Sequence, residues 1–140
     1  LRMTGRMELP DLLSQIFDRV RRDLDFSLFL SALQQNNVAY YIYYLPTGNI
    51  KFVTNTDAVV SMKSNRDLLI VSTKINLAKI KLAAKKHFAG ESGYDEFCIA
   101  LAGSGVFKWV TDLNDKKRRY WSVDNILLYV DDITCPENAL

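Results

Sequence analysis

Residues 38–54 contain two strand-like runs on either side of a turn signal. The runs read VAYYIYYL and IKFVT, and both are rich in the β-branched and aromatic residues that favour strands. Pro46, Thr47, Gly48 and Asn49 separate them, which is a composition typical of turns. We therefore predict a β-hairpin here, and two shorter runs at residues 58–62 and 68–72 predict that the sheet continues as a meander.

Helical periodicity surrounds this hairpin. Residues 8–25 and 25–37 each carry apolar side chains at helical spacing, the second segment stopping at Asn36 and Asn37. A third helix is predicted at residues 74–88 and a short one within residues 92–105. Residues 106–113 and 119–123 predict a second hairpin, and residues 125–132 are either a last strand or a short helix.

This order of elements predicts an α+β fold, with an antiparallel sheet and helices packed on one face. The chain has 140 residues, the usual size of one domain with one core. Because it does not begin with Met, we interpret residues 1–7 as a cloning remnant or linker and residues 8–140 as a single α+β domain.

Composition excludes several classes of protein. No apolar run approaches the roughly 18 residues needed to cross a bilayer, so we expect no membrane span. Only Cys98 and Cys135 are present, which favours a reducing, cytoplasmic location, although one bridge between them stays open. Within the apolar string FCIAL, Cys98 is expected to pack as a small hydrophobic residue.

Candidate catalytic groups are sparse. His87 is the one histidine, which is too few for a histidine metal centre, and we expect it at the edge of the core or on the surface. Asp131 and Asp132 are adjacent, so in a strand they would face opposite ways and not share a metal. Asp124 nearby completes no recognisable site. We therefore predict no catalytic residue, no metal, no cofactor and no small-molecule ligand.

The third helix is basic. No acidic residue interrupts residues 74–90, while Lys74, Lys81 and Lys85 fall on one flank and Lys79 and Lys86 on another. Leu77, Ile80, Ala84, His87 and Phe88 are predicted to face the core. The lysine ridges could contact phosphates or simply solvate an exposed helix. Ile75 and Leu82 between them are candidate residues for docking on a protein.

A second basic segment ends in two aromatic residues. Cations beside rings on which bases can stack are the ingredients of single-stranded nucleic-acid binding, and a polar hairpin loop entering a buried strand has the same composition. The candidate residues are Lys116, Lys117, Arg118, Arg119, Tyr120 and Trp121. Tyr40, Tyr41, Tyr43 and Tyr44 are predicted to divide between the two faces of their strand.

Charge is distributed unevenly along the chain. Residues 1–90 hold 13 Lys and Arg against 7 Asp and Glu, whereas residues 91–140 hold 5 against 9. This favours a molecule with a basic face and a polyanionic partner.

Two stretches of the sequence carry a family resemblance. The first, DFSLFLSALQQNNVAYYIYYLPTGNIKFV, is similar to the segment that follows the nuclease domain in conjugative relaxases and mobilization proteins. LAAKKHF and ESGYDEF resemble the "LAxxKF" and "GSDEF" motifs of the polyvalent-protein-associated domain. The resemblance covers roughly residues 25–105 and implies a C-terminal, non-catalytic accessory region of a relaxase.

The resemblance and the basic segments together predict an accessory domain of a plasmid or mobile-element relaxase. Such a domain would bind single- or double-stranded DNA or help recruit the relaxase to the type IV secretion machinery, with other domains of the parent protein or the coupling protein as partners. The alternative is a protein interaction module without nucleic-acid binding. A hydrolase or nuclease is a third hypothesis, which the missing histidine cluster disfavours.

Overall fold

The structure is a computed structural model that describes residues 8–21 and 26–133. The helices are α1 (Leu9–Arg21), α2 (Phe26–Gln35), α3 (Leu77–Phe88) and α4 (Tyr94–Gly103). The strands are β1 (Val38–Tyr44), β2 (Ile50–Thr54), β3 (Val59–Met62), β4 (Lys108–Asp112), β5 (Lys117–Trp121) and β6 (Leu127–Asp132). The interpretation of residues 1–7, the end of the first predicted helix and Cys135 lie outside the described residues.

The six strands form one antiparallel sheet in the order β3-β2-β1-β4-β5-β6. It consists of two three-stranded meanders, and the pairing of β1 with β4 joins them along the middle of the sheet. Tyr43 of β1 lies opposite Trp109 of β4, and their rings stack with centroids 4.3 Å apart. The predicted α+β arrangement is therefore confirmed, and the segment at residues 125–132, which periodicity left open, is the edge strand β6.

Aromatic contacts place the helices on one face of this sheet. Phe17 of α1 lies 6.2 Å from Tyr43, and Phe29 of α2 lies 5.6 Å from Tyr41, between ring centroids. Phe97 of α4 packs 5.4 Å from the Trp109 ring. Since alternate residues of a strand point to opposite faces, Tyr40 and Tyr44 face away from the helices. The tyrosines of β1 divide between the two faces as the sequence predicts.

The structure corrects the prediction of a strand at residues 68–72. This segment is extended but joins no ladder, because its backbone hydrogen bonds go to a turn and to a helix end. Leu69 N donates to Pro46 O at 2.9 Å, and Ser72 N donates to Ala102 O at 2.8 Å. Alternation alone could not distinguish a paired strand from a segment that lies across the end of the core.

The third helix begins later than predicted. Asn76 is its N-cap, and its side-chain oxygen accepts a hydrogen bond from Lys79 N at 3.1 Å. Lys74 and Ile75 therefore precede the helix. Ile80 and Ala84 are buried as predicted, whereas Leu77 is 55% exposed, because it stands in the first turn beyond the edge of the core.

Arg118 is a buried cation at the boundary between α3 and the sheet. Its guanidinium donates to both carboxylate oxygens of Asp131, at 3.1 and 3.2 Å, and lies 3.8 Å from the Phe88 ring centroid. Tyr120 Oη also donates to Asp131 at 3.1 Å. Burial raises the pKa of Asp131, whereas Arg118 and Tyr120 lower it. This ion pair is what allows a charged residue inside β5.

Removing the cation alone should destabilise the fold. Arg118→Met leaves the Asp131 carboxylate without its partner, and we expect a loss of about 2–4 kcal/mol in the free energy of unfolding, because Asp131 keeps some contact with water. Urea denaturation followed by tryptophan fluorescence measures this loss.

Arg119→Met is the matched control, since the neighbouring Arg119 forms an exposed ion pair with Asp115 and its replacement should change stability little. Equal losses for the two variants would contradict a structural role specific to Arg118.

Cys98 lies inside the core, as its apolar surroundings predict. Its thiol is buried and approaches Tyr43 Oη at 3.6 Å. Burial raises the pKa of Cys98 to about 11, so the protonated thiol predominates at neutral pH. A buried, protonated thiol is a poor nucleophile.

Cys98 should therefore resist modification in the folded protein. In a Cys135→Ser background, we expect Ellman's reagent at pH 8 to react with Cys98 at least about a hundredfold more slowly in buffer than in urea, because reaction requires opening of the core. Equal rates in the two solvents would show that the thiol is accessible in the native state.

Candidate nucleic-acid interface

The basic segment predicted from residues 116–121 is divided by strand alternation. Lys116 lies in the turn before β5 with a backbone φ of 59°. Arg118 and Tyr120 face the core and are buried. Their side chains are not accessible to a phosphate or a base in this conformation, which contradicts the prediction that they contact nucleic acid. Lys117, Arg119 and Trp121 point to the opposite face.

This opposite face, which we name the open face, is the side of the sheet away from the four described helices. Its cross-strand neighbours follow from the register. Tyr44 lies opposite Lys108, and Lys108 lies opposite Trp121. Directly paired side chains of an antiparallel sheet stand about 5 Å apart at Cβ. Lys108 thus lies between the half-buried side chains of Tyr44 and Trp121. We name these three residues the Tyr44 row.

Charges on the open face separate along the strand direction. At the end away from Tyr44, Lys117 forms an ion pair with Asp132 at 2.5 Å, and Arg119 forms one with Asp115 at 2.7 Å. The hydrogen bond from Arg119 lowers the pKa of Asp115, so that carboxylate stays ionised and offsets the cation. Predicted cations at this end are therefore already partnered.

The Tyr44 end is basic without such offsets. Lys51, Lys63 and Lys108 form no ion pair with any described residue. Lys51 is paired with Ile42 across β1 and β2, which puts it diagonally beside Tyr44 on the same face. The Phe107 ring lies 6.0 Å from the Tyr44 ring at a steep angle. Aromatic surface and unpaired ammonium groups are therefore brought together here.

A hollow of about 410 Å³ opens beside this row. It is lined by Tyr44, Thr47, Asn49, Lys51, Lys63 and Phe107, among others. Gly48 gives the adjoining turn its shape, with a φ of 77° that favours glycine. The Arg66 guanidinium holds the segment after β3 against this turn, because it donates hydrogen bonds to Asp67 O at 2.8 Å and to Leu45 O. The volume lies within the roughly 300–1,000 Å³ of ligand sites.

The predicted lysines of α3 lie on the other side of the molecule. Lys79, Lys81, Lys85 and Lys86 are exposed on the helix layer and form no ion pair with any residue in the described ranges. Lys74 is exposed in the turn that precedes the helix. The α3 lysines thus lie on the helix layer, whereas Lys117, Arg119 and Trp121 of the second predicted basic segment lie on the open face.

The predicted docking residues are also apart. Ile75 precedes the α3 cap and lies against Gly105, whereas Leu82 stands on the outer side of α3. Leu82 faces a hollow between α3 and α4 that it shares with Ile99. Leu82 thus lines a concave surface of the described helices.

His87 lies at the edge of the core, as predicted. Its ring stacks on Phe97 with centroids 4.2 Å apart, and Nδ1 is 3.1 Å from Ser92 O. These contacts are those of a packing residue. Within residues 8–21 and 26–133, no three His, Cys, Asp or Glu side chains are grouped so as to hold a metal ion. No helix in the same ranges has the length and apolar character needed to cross a membrane.

Sequence reasoning missed Lys51, Lys63, Phe107 and Lys108. Lys51 and Lys108 become informative only once β1 is known to pair with β2 and β4, and Lys63 and Phe107 only once the hollow beside those strands is known. Tyr44 and Trp121 carried a local signal, since strand alternation separates them from Tyr43 and Tyr120. Ile99 was also missed, although it belongs to the apolar string FCIAL of the predicted short helix.

Comparison with known proteins identifies relatives of similar length. A model of the family DUF1398, described as a protein of unknown function, matches residues 14–132. The chain is 48% identical over 127 residues to the uncharacterized protein YcgX of Escherichia coli strain K12, which covers 91% of this chain and 95% of that protein. It is 36% identical over 122 residues to the uncharacterized protein YbcV of the same strain, covering 87% and 90%. The chain therefore belongs to the DUF1398 family.

Proposed function

We propose that this chain is a non-catalytic protein that binds single-stranded nucleic acid across the Tyr44 row. One observation carries the proposal: Lys108 stands between Tyr44 and Trp121 on a sheet face that the described helices leave uncovered. Rings on which bases stack, combined with cations that contact the backbone, are the general means of binding single strands.

The hollow beside the row supports a nucleotide-sized contact. Tyr44 and Phe107 offer ring surface at its wall, and Lys51 and Lys63 offer ammonium groups. A base can stack while the flanking phosphates approach the lysines. Thr47 and Asn49 also line this space, and their side-chain oxygens accept hydrogen bonds from Asn49 N at 3.1 Å and Ser64 N at 2.9 Å, which fixes the shape of the wall. A duplex keeps its bases stacked internally, so this site favours single strands.

The α3 lysines support a weaker form of nucleic-acid binding. They offer charge, but the nearest ring on that helix, Phe88, is already in contact with the Arg118 guanidinium and lies 5.5 Å from the Phe97 ring. Contacts of this kind would be to phosphates alone and would not distinguish strands. For this reason the proposal places the primary contact on the open face.

The biological context stays a prediction. The relaxase or secretion role rests on the resemblance alone, and the names of the family and of the two relatives mention neither. A cytoplasmic location likewise rests on composition. Binding of single-stranded nucleic acid is separable from both and can be tested directly.

Tyr44→Ala should weaken binding of a labelled single-stranded oligonucleotide about tenfold, because one stacking surface is lost. Tyr40→Ala is the matched control, since Tyr40 lies on the same strand and face at the acidic end, beside Asp112. Fluorescence anisotropy at low salt, with single strands and duplexes of the same sequence, measures the effect. Thermal unfolding of both variants establishes that each is folded.

Charge reversal separates the two basic surfaces. Lys51→Glu should weaken single-strand binding and reduce its salt dependence, while Lys81→Glu with Lys85→Glu should weaken binding of single strands much less. Absence of any binding at low salt would refute the proposal. A loss confined to the α3 double variant would move the contact to the helix layer.

A further inference from the structure

Two packed helices leave an apolar hollow on the outer side of the molecule. Leu82 of α3 and Ile99 of α4 are 59% and 60% exposed, and both line a groove of about 340 Å³. Ala83, Ala100 and Gly103 supply its other apolar surface. An exposed pair of large aliphatic side chains in a concave site is typical of a surface that another molecule covers.

Lysines flank this groove along α3. Lys79 and Lys86 both line it, and they are seven residues apart, which corresponds to about 10 Å along the helix axis. Neither forms an ion pair with any residue in the described part of the chain. The Ser104 hydroxyl, which also lines it, is occupied by a hydrogen bond to Ala100 O at 2.8 Å. The groove lining therefore presents apolar contact with positive charge on its α3 side.

The small residues of α4 give an approaching backbone room. Apart from the neighbouring residues and backbone of its own helix, no atom lies within 4 Å of the position that a Cβ on Gly103 would occupy. With Ala83 and Ala100 beside it, this leaves a shallow hole into which a large apolar side chain of another helix can insert, as ridges of one helix pack into the grooves of another. The lining residues extend over residues 79–86 of α3 and 99–104 at the end of α4, which suits an elongated partner.

We propose that the α3/α4 groove binds an amphipathic helix of a protein partner, with an apolar stripe flanked by acidic side chains. The stripe covers Leu82 and Ile99, and the carboxylates meet Lys79 and Lys86, which gives orientation as well as attraction. Helix-in-groove recognition uses the same division between apolar anchors and polar flanks. This site lies on the helix layer, so it is independent of the Tyr44 row.

A synthetic peptide provides the probe. The peptide should be about 18 residues long, or about five helical turns, with Leu at helical spacing and Glu on both flanks. A control peptide has the same composition, with the residues reordered so that no apolar stripe forms. Binding is measured by anisotropy, and the contact is located from methyl NMR shifts of Leu82 and Ile99.

Two variants should weaken binding of the striped peptide by about tenfold or more. Gly103→Leu places a side chain at the groove, where an added Cβ meets no neighbouring atom within 4 Å, and Lys79→Glu with Lys86→Glu reverses the flanking charge. Lys81→Glu with Lys85→Glu is the matched control, because it reverses two lysines of the same helix that do not line the groove. Binding of single-stranded oligonucleotide should be unaffected by Gly103→Leu.

Several results would overturn the proposal. These are equal binding of the two peptides, full affinity in the Gly103→Leu variant, or no binding of the striped peptide. Perturbation of Leu82 and Ile99 by dodecanoate or anionic vesicles, with none by the peptide, would assign the groove to an amphiphile instead. The Tyr44→Ala variant tests only the oligonucleotide site, so its result does not affect the interpretation of peptide binding. Either proposal can therefore be refuted without the other.

Discussion

The pairing of β1 with β4 is the constraint on which the rest of the molecule depends. It joins two meanders that are each formed from neighbouring segments, and it stacks Tyr43 on Trp109 at the centre of the covered face. The helices can pack as they do because this aromatic surface is continuous across the join. The same pairing sets Tyr44 opposite Lys108 on the other face. One register therefore determines both the core and the candidate site.

Burial divides the charged residues into two functional classes. Arg118 is held by Asp131 and Phe88 inside the protein, and its cation stabilises the structure because the partner and the ring compensate for lost hydration. Lys108 is one strand away, on the opposite face, where water can reach it. Two residues of the same charge, in paired strands, thus have different roles, and only their orientation distinguishes them.

The two concave sites differ in chemistry as well as position. The hollow near Tyr44 combines rings, amide and hydroxyl groups with ammonium groups, which suits a polar, stacking ligand. The α3/α4 groove is aliphatic with two lysines, which suits an apolar surface with acidic flanks. If the sheet binds nucleic acid and the helices bind a protein partner, the molecule brings these two ligands together. The sites themselves lie on opposite sides of the sheet.

The sequence alone determined the types and order of most elements, because periods of two and of about 3.6 residues are local properties of strands and helices. It also determined that Tyr40 and Tyr44 face the opposite side of the sheet from Tyr41 and Tyr43, and that Cys98 packs in the core. Tertiary structure decided that residues 68–72 lie outside the sheet, that Arg118 is buried, and that Lys108 stands between Tyr44 and Trp121. These outcomes follow from pairing and packing between segments distant in the chain, for which no local pattern carries the register.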